Sequence, residues 1–130
     1  MSILRIDCDA GWSTVTLDPR SRCFGGGAVK PIPLTPRAQL WTPEPGGTPN
    51  ALASALLTFL QLPVQPLQGP AYLTGSTGPD RPGPLTPNQI RAFTSTLQAL
   101  LAMPDFLALH AQAGRIAAAW FCPTTTRSFP

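Results

Sequence analysis

The chain has 130 residues, which is too short for two independent hydrophobic cores. Of these residues 43% are apolar and 12% charged, and this apolar fraction excludes a generally disordered chain. Its net charge is +3, and its eight arginines and single lysine are scattered, which does not favour a polybasic tail for nucleic acid or membrane. Its three cysteines have no CxxC spacing, so neither a disulfide framework nor a zinc finger is expected.

The opening residues carry no cationic leader followed by an apolar stretch, and no run approaches about 18 apolar residues. We therefore expect a soluble protein without a membrane partner, in the cytoplasm.

The first thirty residues have the pattern of antiparallel strands. Apolar and polar side chains alternate from Ile3 to Cys8, and residues 12–17 are rich in β-formers. Between them, residues 9–11 are predicted to form a turn in which Gly11 is able to take a positive φ, which makes the pair a hairpin. Residues 22–29 indicate a weaker third strand that three glycines interrupt.

From Lys30 to Gly47 the chain is predicted to be loop, because its five prolines disfavour a helix or a central strand. Leu34, Leu40 and Trp41 give this loop apolar anchors, so we expect it to pack on the body. A mobile lid is the alternative.

Two helices begin with the same signal, a threonine N-cap followed by proline. Thr48-Pro49 starts the first, which Pro63 ends. Thr86-Pro87 starts the second, which Pro104 interrupts, so that either a kink or a fresh short helix is expected over residues 104–113. Both carry apolar residues at helical spacing: Leu52, Leu56, Leu57 and Leu60, then Ile90, Phe93, Leu97, Leu100 and Leu101.

The remaining predicted strands are short. Residues 71–74 form one, followed by a stiff loop over 75–85, and Arg115–Cys122 form the last, bracketed by glycine and proline. The order β-β-(β)-α-β-α(kinked)-β predicts an α/β (α+β) domain over residues 1–122. It has a mixed sheet of four or five strands with helices packed on it, and an extended tail over 123–130.

This order resembles the ribonuclease H-like fold, and residues 4–15 look like the first hairpin of that superfamily. The resemblance implies a metal-dependent nuclease in which carboxylates hold Mg²⁺. Asp7 would be the first-strand ligand, with Asp9 as its substitute and Asp80 beyond the short strand. The first helix, residues 49–62, lacks the acid that the family carries there.

Residues typical of catalysis are scarce: the chain has six acids and one histidine. His110, late in a helix, is interpreted as a helix-end charge. Stiff proline loops and Trp41, an aromatic in a polar loop, favour a preorganised binding surface that includes Arg37 and Arg81.

The predicted function is therefore that of a small non-enzymatic accessory protein that binds a macromolecular partner, with protein favoured, and needs no cofactor. Alternatives are the Mg²⁺-dependent nuclease, a degenerate nucleic-acid-binding relative of it, and a protein that binds single-stranded nucleic acid through arginine and aromatics.

Overall fold

An antiparallel sheet of six strands forms the centre of the computed structural model, which describes residues 1–21, 24, 31–43, 48–63, 67–108 and 110. The strands are β1 (Ser2–Ile6), β2 (Trp12–Thr16), β3 (Ile32–Thr35), β4 (Ala38–Trp41), β5 (Ala71–Gly78) and β6 (Arg81–Gly83), and the long helices are α1 (Ala51–Phe59) and α2 (Pro87–Leu101). The predicted α/β class is confirmed. Every strand pair in the described residues is antiparallel, whereas a mixed sheet was expected.

Strand β5 organises the sheet, whose order is β2-β1-β5-β4-β3 with β6 also paired to β5. β1 and β6 lie end to end along one edge of β5: Leu4 pairs with Leu73, and Gly83 pairs with Gly75. The Leu85 amide donates to the Ser2 carbonyl at 2.9 Å where the two short strands meet. The other edge of β5 is occupied by β4.

The opening hairpin of β1 and β2 forms as predicted, with Ile6 opposite Trp12. The positive φ of its turn, however, is at Ala10 (67°) and not at Gly11. The Asp9 carboxylate accepts a hydrogen bond from the Gly11 amide at 3.0 Å, and this local contact stabilises the left-handed residue between them.

The prediction of a loop over residues 30–47 is wrong for residues 32–41, because β3 and β4 form a hairpin there. Pro33 is tolerated since β3 is an edge strand, where a missing amide donor leaves no sheet hydrogen bond broken. Leu34 and Leu40 are buried in the main core. This hairpin is thus packed, and the lid alternative does not hold for it.

The predicted loop over residues 75–85 is also largely strand, because β5 continues to Gly78 and the chain returns as β6. A Cβ atom on Gly75 would lie 2.3 Å from the Pro84 carbonyl oxygen. The close return of the chain therefore requires glycine at position 75.

Both faces of the sheet carry buried side chains. Leu4, Leu40 and Leu73 belong to the main core, together with leucines of α1 and α2. The opposite face buries a second cluster, consisting of Ile3, Phe24, Trp41 and Tyr72. The alternation predicted for β1 is consequently hidden, because Ile3 and Leu4 are both buried although they point to opposite faces.

Helix α1 is capped by Asn50 and not by the predicted Thr48. Pro49 instead forms an isolated bridge with Gln68. The fully buried Asn50 side chain accepts from the Ala53 amide at 3.1 Å and donates to the carbonyls of Ile6 (3.0 Å) and Gly69 (2.9 Å). One side chain thereby joins α1, β1 and the segment that leads into β5.

Helix α2 begins as predicted. Thr86 is its N-cap, Pro87 is its first residue, and Gln89 completes a capping box. Its stripe is buried at Phe93, Leu97 and Leu100, while Leu101 is exposed. The helix ends before Pro104, and residues 104–108 are again helical, which confirms the predicted interruption.

Apart from Phe24, the predicted strand over 22–29 lies outside the described residues, as do the strand over 115–122 and the tail over 123–130. The single-domain assignment to residues 1–122 stays a prediction. No helix in the described part of the chain is long and apolar enough to cross a bilayer.

Replacing Asn50 by aspartate tests its joining role. A carboxylate can still cap α1, but it loses both donors and faces two carbonyl oxygens in a buried site. We expect the Asn50→Asp variant to lose about 3 kcal/mol of unfolding free energy, measured by urea denaturation at pH 7. Thr86→Asp is the matched control at the exposed cap of α2 and should change stability by less than about 0.5 kcal/mol. Equal effects at both caps would contradict the role given to Asn50.

The close return at Gly75 gives a second prediction. In Gly75→Ala the new methyl group meets a backbone carbonyl that cannot rotate away, so we expect a loss of about 2 kcal/mol by thermal or urea unfolding. Gly83→Ala should cost less, because its Cβ would meet the Thr77 methyl at 2.8 Å, the end of an exposed side chain. A Gly75→Ala protein as stable as the wild type would show that β6 does not lie so close.

Candidate partner-binding site

The three acids predicted as alternative metal ligands do not come together. Asp7 and Asp9 lie in the β1–β2 turn, near the first residue of β5, whereas Asp80 follows its last residue. The eight residues of β5 separate these ends by about 25 Å. Within the described ranges, no three His, Cys, Asp or Glu side chains are grouped so that they could hold a metal ion.

Each acid of the opening turn instead has a local partner. Asp7 forms an ion pair with the Arg5 guanidinium at 2.7 Å, and Asp9 caps the turn at Gly11. Between them the Cys8 thiol lies 3.5 Å from the Thr48 carbonyl oxygen, to which it donates. Burial raises the pKa of the Cys8 thiol above its ordinary value, so this group stays protonated at neutral pH.

Trp41 is not a surface residue, and its predicted role as an exposed partner anchor is wrong. It is 1% exposed, because it belongs to β4, a strand that is buried on both faces. Its ring packs edge-to-face against Phe24 at 5.4 Å, and its indole N–H donates to the Thr74 hydroxyl at 3.1 Å. Trp41 therefore stabilises the second core cluster.

The other two predicted binding residues are exposed at one end of the sheet. Arg37 lies in the β3–β4 turn and Arg81 begins β6, just after the β5–β6 turn. The structure shows neither in an ion pair with a described residue. The Arg37 carbonyl accepts from the Ser76 amide at 3.1 Å and from the Gln89 side chain at 3.2 Å, so its backbone is fixed while its cation faces solvent.

Two cavities adjoin these turns, and together with Arg37 and Arg81 we call them the hairpin-end site. The first has a volume of about 360 Å³ and is lined by Arg37, Gly75, Ser76, Thr77, Gly83, Pro84, Thr86 and Gln89. The second has a volume of about 540 Å³ and is lined by Pro31, Pro33, Thr35, Pro36, Gln39, Ser76, Thr77, Gly78, Pro79 and Asp80. Ser76 and Thr77 contribute to both.

The first cavity is electropositive. It lies beside the first turn of α2, the positive end of that helix's dipole, and the Arg37 guanidinium adds a full positive charge. Hydroxyl groups of Thr77 and Thr86 are also present in its lining. Such a surface stabilises a carboxylate.

The second cavity contains a polar group that sequence analysis missed. Gln39 is 5% exposed, and its amide nitrogen donates to the Ser76 hydroxyl and the Gly78 carbonyl, both at 3.2 Å. Its carbonyl oxygen Oε1 is buried and has no hydrogen-bond partner among the residues that the structure describes. The sequence signal for this group is a glutamine between the apolar Ala38 and Leu40. It indicates a buried polar side chain only if the segment is a strand, and the sequence predicts a loop there.

Four prolines form much of the wall of the second cavity. Because proline fixes φ, these walls lose little conformational freedom when a ligand binds. The sequence predicts stiff loops over residues 30–47 and 75–85. The prolines of these segments instead lie in or next to an edge strand and in two turns.

No protein-family model, curated protein sequence or solved structure gives a significant match to this chain. The resemblance to the ribonuclease H-like fold therefore stays a prediction, because no related protein was found that could test it.

His110 lies apart from the hairpin-end site. It is 8% exposed, and its ring packs edge-to-face on Phe106 at 4.7 Å between centroids. Burial lowers the pKa of its imidazole below the ordinary value of 6.5, because desolvation disfavours the charged form.

This burial predicts a pH dependence. The unfolded imidazole binds a proton at higher pH than the folded one, so the folded state loses stability as pH falls below about 6.5. Urea unfolding at pH 7.5 and 5.5 should show this loss for the wild type and a smaller one for His110→Phe. Equal losses in the two proteins would contradict a buried, neutral His110.

Proposed function

We propose that this protein is a non-enzymatic accessory protein that binds an acidic segment of a partner protein at the hairpin-end site. The observation that carries the proposal is that Arg37 and Arg81, both exposed and without an ion pair to a described residue, lie at the same end of the sheet as two preformed cavities, the first of which Arg37 lines. The β3–β4 turn carries Arg37 and the β5–β6 turn precedes Arg81. These turns lie at the same end of the sheet, because β4 and β6 both pair with β5.

Electrostatics supports an acidic partner. The chain has a net charge of +3, and the first cavity is bordered by Arg37 and by the N-terminus of α2. Exposed charges of this kind accelerate and orient the encounter with an oppositely charged segment more than they tighten the complex. Binding should therefore weaken as salt is added.

The lining of the cavities favours a peptide over a nucleic acid. Single-stranded nucleic acids are held by aromatic side chains on which bases stack, and the described residues that line both cavities are non-aromatic. Prolines, glycines, hydroxyls and a buried amide suit the backbone and small side chains of an extended peptide.

A charge-matched comparison tests the proposal. The probe is a blocked pentapeptide of alternating glutamate and alanine, with its glutamine counterpart as the uncharged form. We expect the glutamate peptide to bind the wild type more tightly and to shift the NMR signals of Ser76 and Thr77. The Arg37→Gln/Arg81→Gln protein should bind it about fivefold more weakly.

The control is Arg20→Gln/Arg91→Gln, which also lowers the net charge from +3 to +1 (3 − 2 = 1) by removing two exposed arginines outside the site. Its affinity for the glutamate peptide should stay within about twofold of the wild type. Equal weakening in both double variants would show a non-specific charge effect and overturn the proposal. So would tighter binding of a single-stranded oligonucleotide than of the peptide.

A further inference from the structure

We propose that β2, an outer strand of the sheet, pairs with β2 of a second copy of this chain, so that two sheets join into one across a two-fold axis. The proposal goes beyond the binding of an acidic segment. β2 lies at one end of the strand order β2-β1-β5-β4-β3, and the described residues that line the hairpin-end site come from other elements. The two surfaces can therefore be tested separately.

The hydrogen bonds of the opening hairpin decide which main-chain groups of β2 point outward. At one end the Met1 amino group donates to the Leu17 carbonyl at 2.8 Å, and the Leu17 amide donates back to the Met1 carbonyl at 3.0 Å. At the other end the Asp7 amide donates to the Gly11 carbonyl at 2.8 Å. Bonded and non-bonded pairs alternate between these ends. The residues of β2 in non-bonded pairs, which turn their N–H and C=O groups away from β1, are Trp12, Thr14 and Thr16.

These outward groups form an open edge. None of them has a hydrogen-bond partner in the part of the chain that the structure describes. Thr14 and Thr16 are also exposed, so a second strand can reach the main chain there. A row of unmet donors and acceptors of this kind is a template for a further strand.

The two outer strands of the sheet differ in how they resist such pairing. β3 contains Pro33, which has no amide donor, and its pairing with β4 shifts at a bulge between Pro33 and Thr35. Proline, bulges and charged side chains are the features by which edge strands avoid other chains. β2 has none of them and pairs with β1 in an unbroken register. Of the two strands, β2 is therefore the one suited to accept a partner.

The occupant is a second β2, because this strand is complementary to itself. Antiparallel pairing about a two-fold axis at Thr14 places Thr14 opposite its own counterpart, and Trp12 opposite Thr16 of the second copy. Every outward N–H then meets an outward C=O. Threonine pairs and pairs of an aromatic with a β-branched residue are favourable across strands. An axis at Trp12 or at Thr16 would leave part of each edge unmet.

The charges at the ends of β2 fit the same arrangement. The axis brings the turn before Trp12 next to the chain that follows Thr16 of the second copy. That turn holds the exposed Asp9. The following chain holds Arg20, whose side chain is 93% exposed and lies 3.8 Å from Asp18, a distance that leaves it able to turn to another carboxylate. Attraction between Asp9 and Arg20 of the second copy, repeated at both ends, favours a second copy over a strand of another protein.

Sedimentation velocity of the full chain tests the dimer. Pairing of five residues a side is far less than the roughly 20–30 residues a side of a stable complex, so we expect a weak dimer with a Kd of about 100 µM. Thr14→Lys places like charges opposite each other at the axis and should weaken dimerisation at least about tenfold. Ser95→Lys, which adds the same charge on the exposed side of α2, should change the Kd by less than about twofold.

A charge-swapped mixture tests the register and guards against misfolding. An equimolar mixture of Thr14→Lys and Thr14→Glu proteins should dimerise within about threefold of the wild type, because opposite charges then meet at the axis. Far-UV circular dichroism checks that each variant folds. A wild-type monomer up to about 1 mM, equal weakening by Thr14→Lys and Ser95→Lys, or no recovery in the mixture of folded variants overturns the proposal.

Amide hydrogen exchange of the wild type tests the same edge without a substitution. The amides of Trp12, Thr14 and Thr16 should be about threefold more protected at about 1 mM than at about 20 µM. Those of Ser13 and Val15, which face β1, should be equally protected at both. Protection of the first three amides that does not change with concentration would show that a segment of the same chain covers β2. That result, or no protection of them at either concentration, overturns the proposal.

Discussion

The hydrogen bonds of the buried Asn50 side chain determine how the helical layer meets the sheet. Asn50 caps α1 and bonds to the carbonyls of Ile6 and Gly69, so the start of α1, the end of β1 and the entry into β5 are held at one point. Its backbone amide also donates to the Leu67 carbonyl at 2.8 Å. An amide is the suitable group here, because it offers an acceptor to the helix and two donors to the sheet at once.

The hairpin-end site lies at the other end of β5 from Asn50. It depends on the register of β5 against its neighbouring strands, because that register decides which residues reach the site. Since β4, β1 and β6 all pair with β5, a shift of β5 by one residue would exchange the faces on which Thr74, Ser76 and Thr77 lie. Burial of β4 on both faces has a related effect: Gln39 has no solvent to which its amide could turn. The unpartnered oxygen is thus a consequence of placing a polar residue in a fully covered strand.

The sequence predicted elements whose signals are local and missed those that depend on neighbours. The capping of α2 by Thr86 and Pro87 and the hairpin from Ile3 to Leu17 could be recognised because the relevant residues are adjacent in the chain. The strands β3 and β6 could not, since proline is compatible with strand only at an edge or beside a turn, and edges are defined by long-range pairing. Trp41 was misplaced for the same reason, whereas the exposure of Arg37 and Arg81 needed no such knowledge.

The central place of β5 has a kinetic consequence. Its partner in β1 is 69 positions away in sequence, as the pairing of Leu4 with Leu73 shows (73 − 4 = 69), so the middle of the sheet cannot close until most of the chain has been gathered. Such non-local pairing slows folding, typically to milliseconds or seconds. Hydrogen exchange should accordingly be slowest at the amides of Tyr72 and Leu73, which are paired with β1 on one side and β4 on the other, and these amides report opening of the whole sheet.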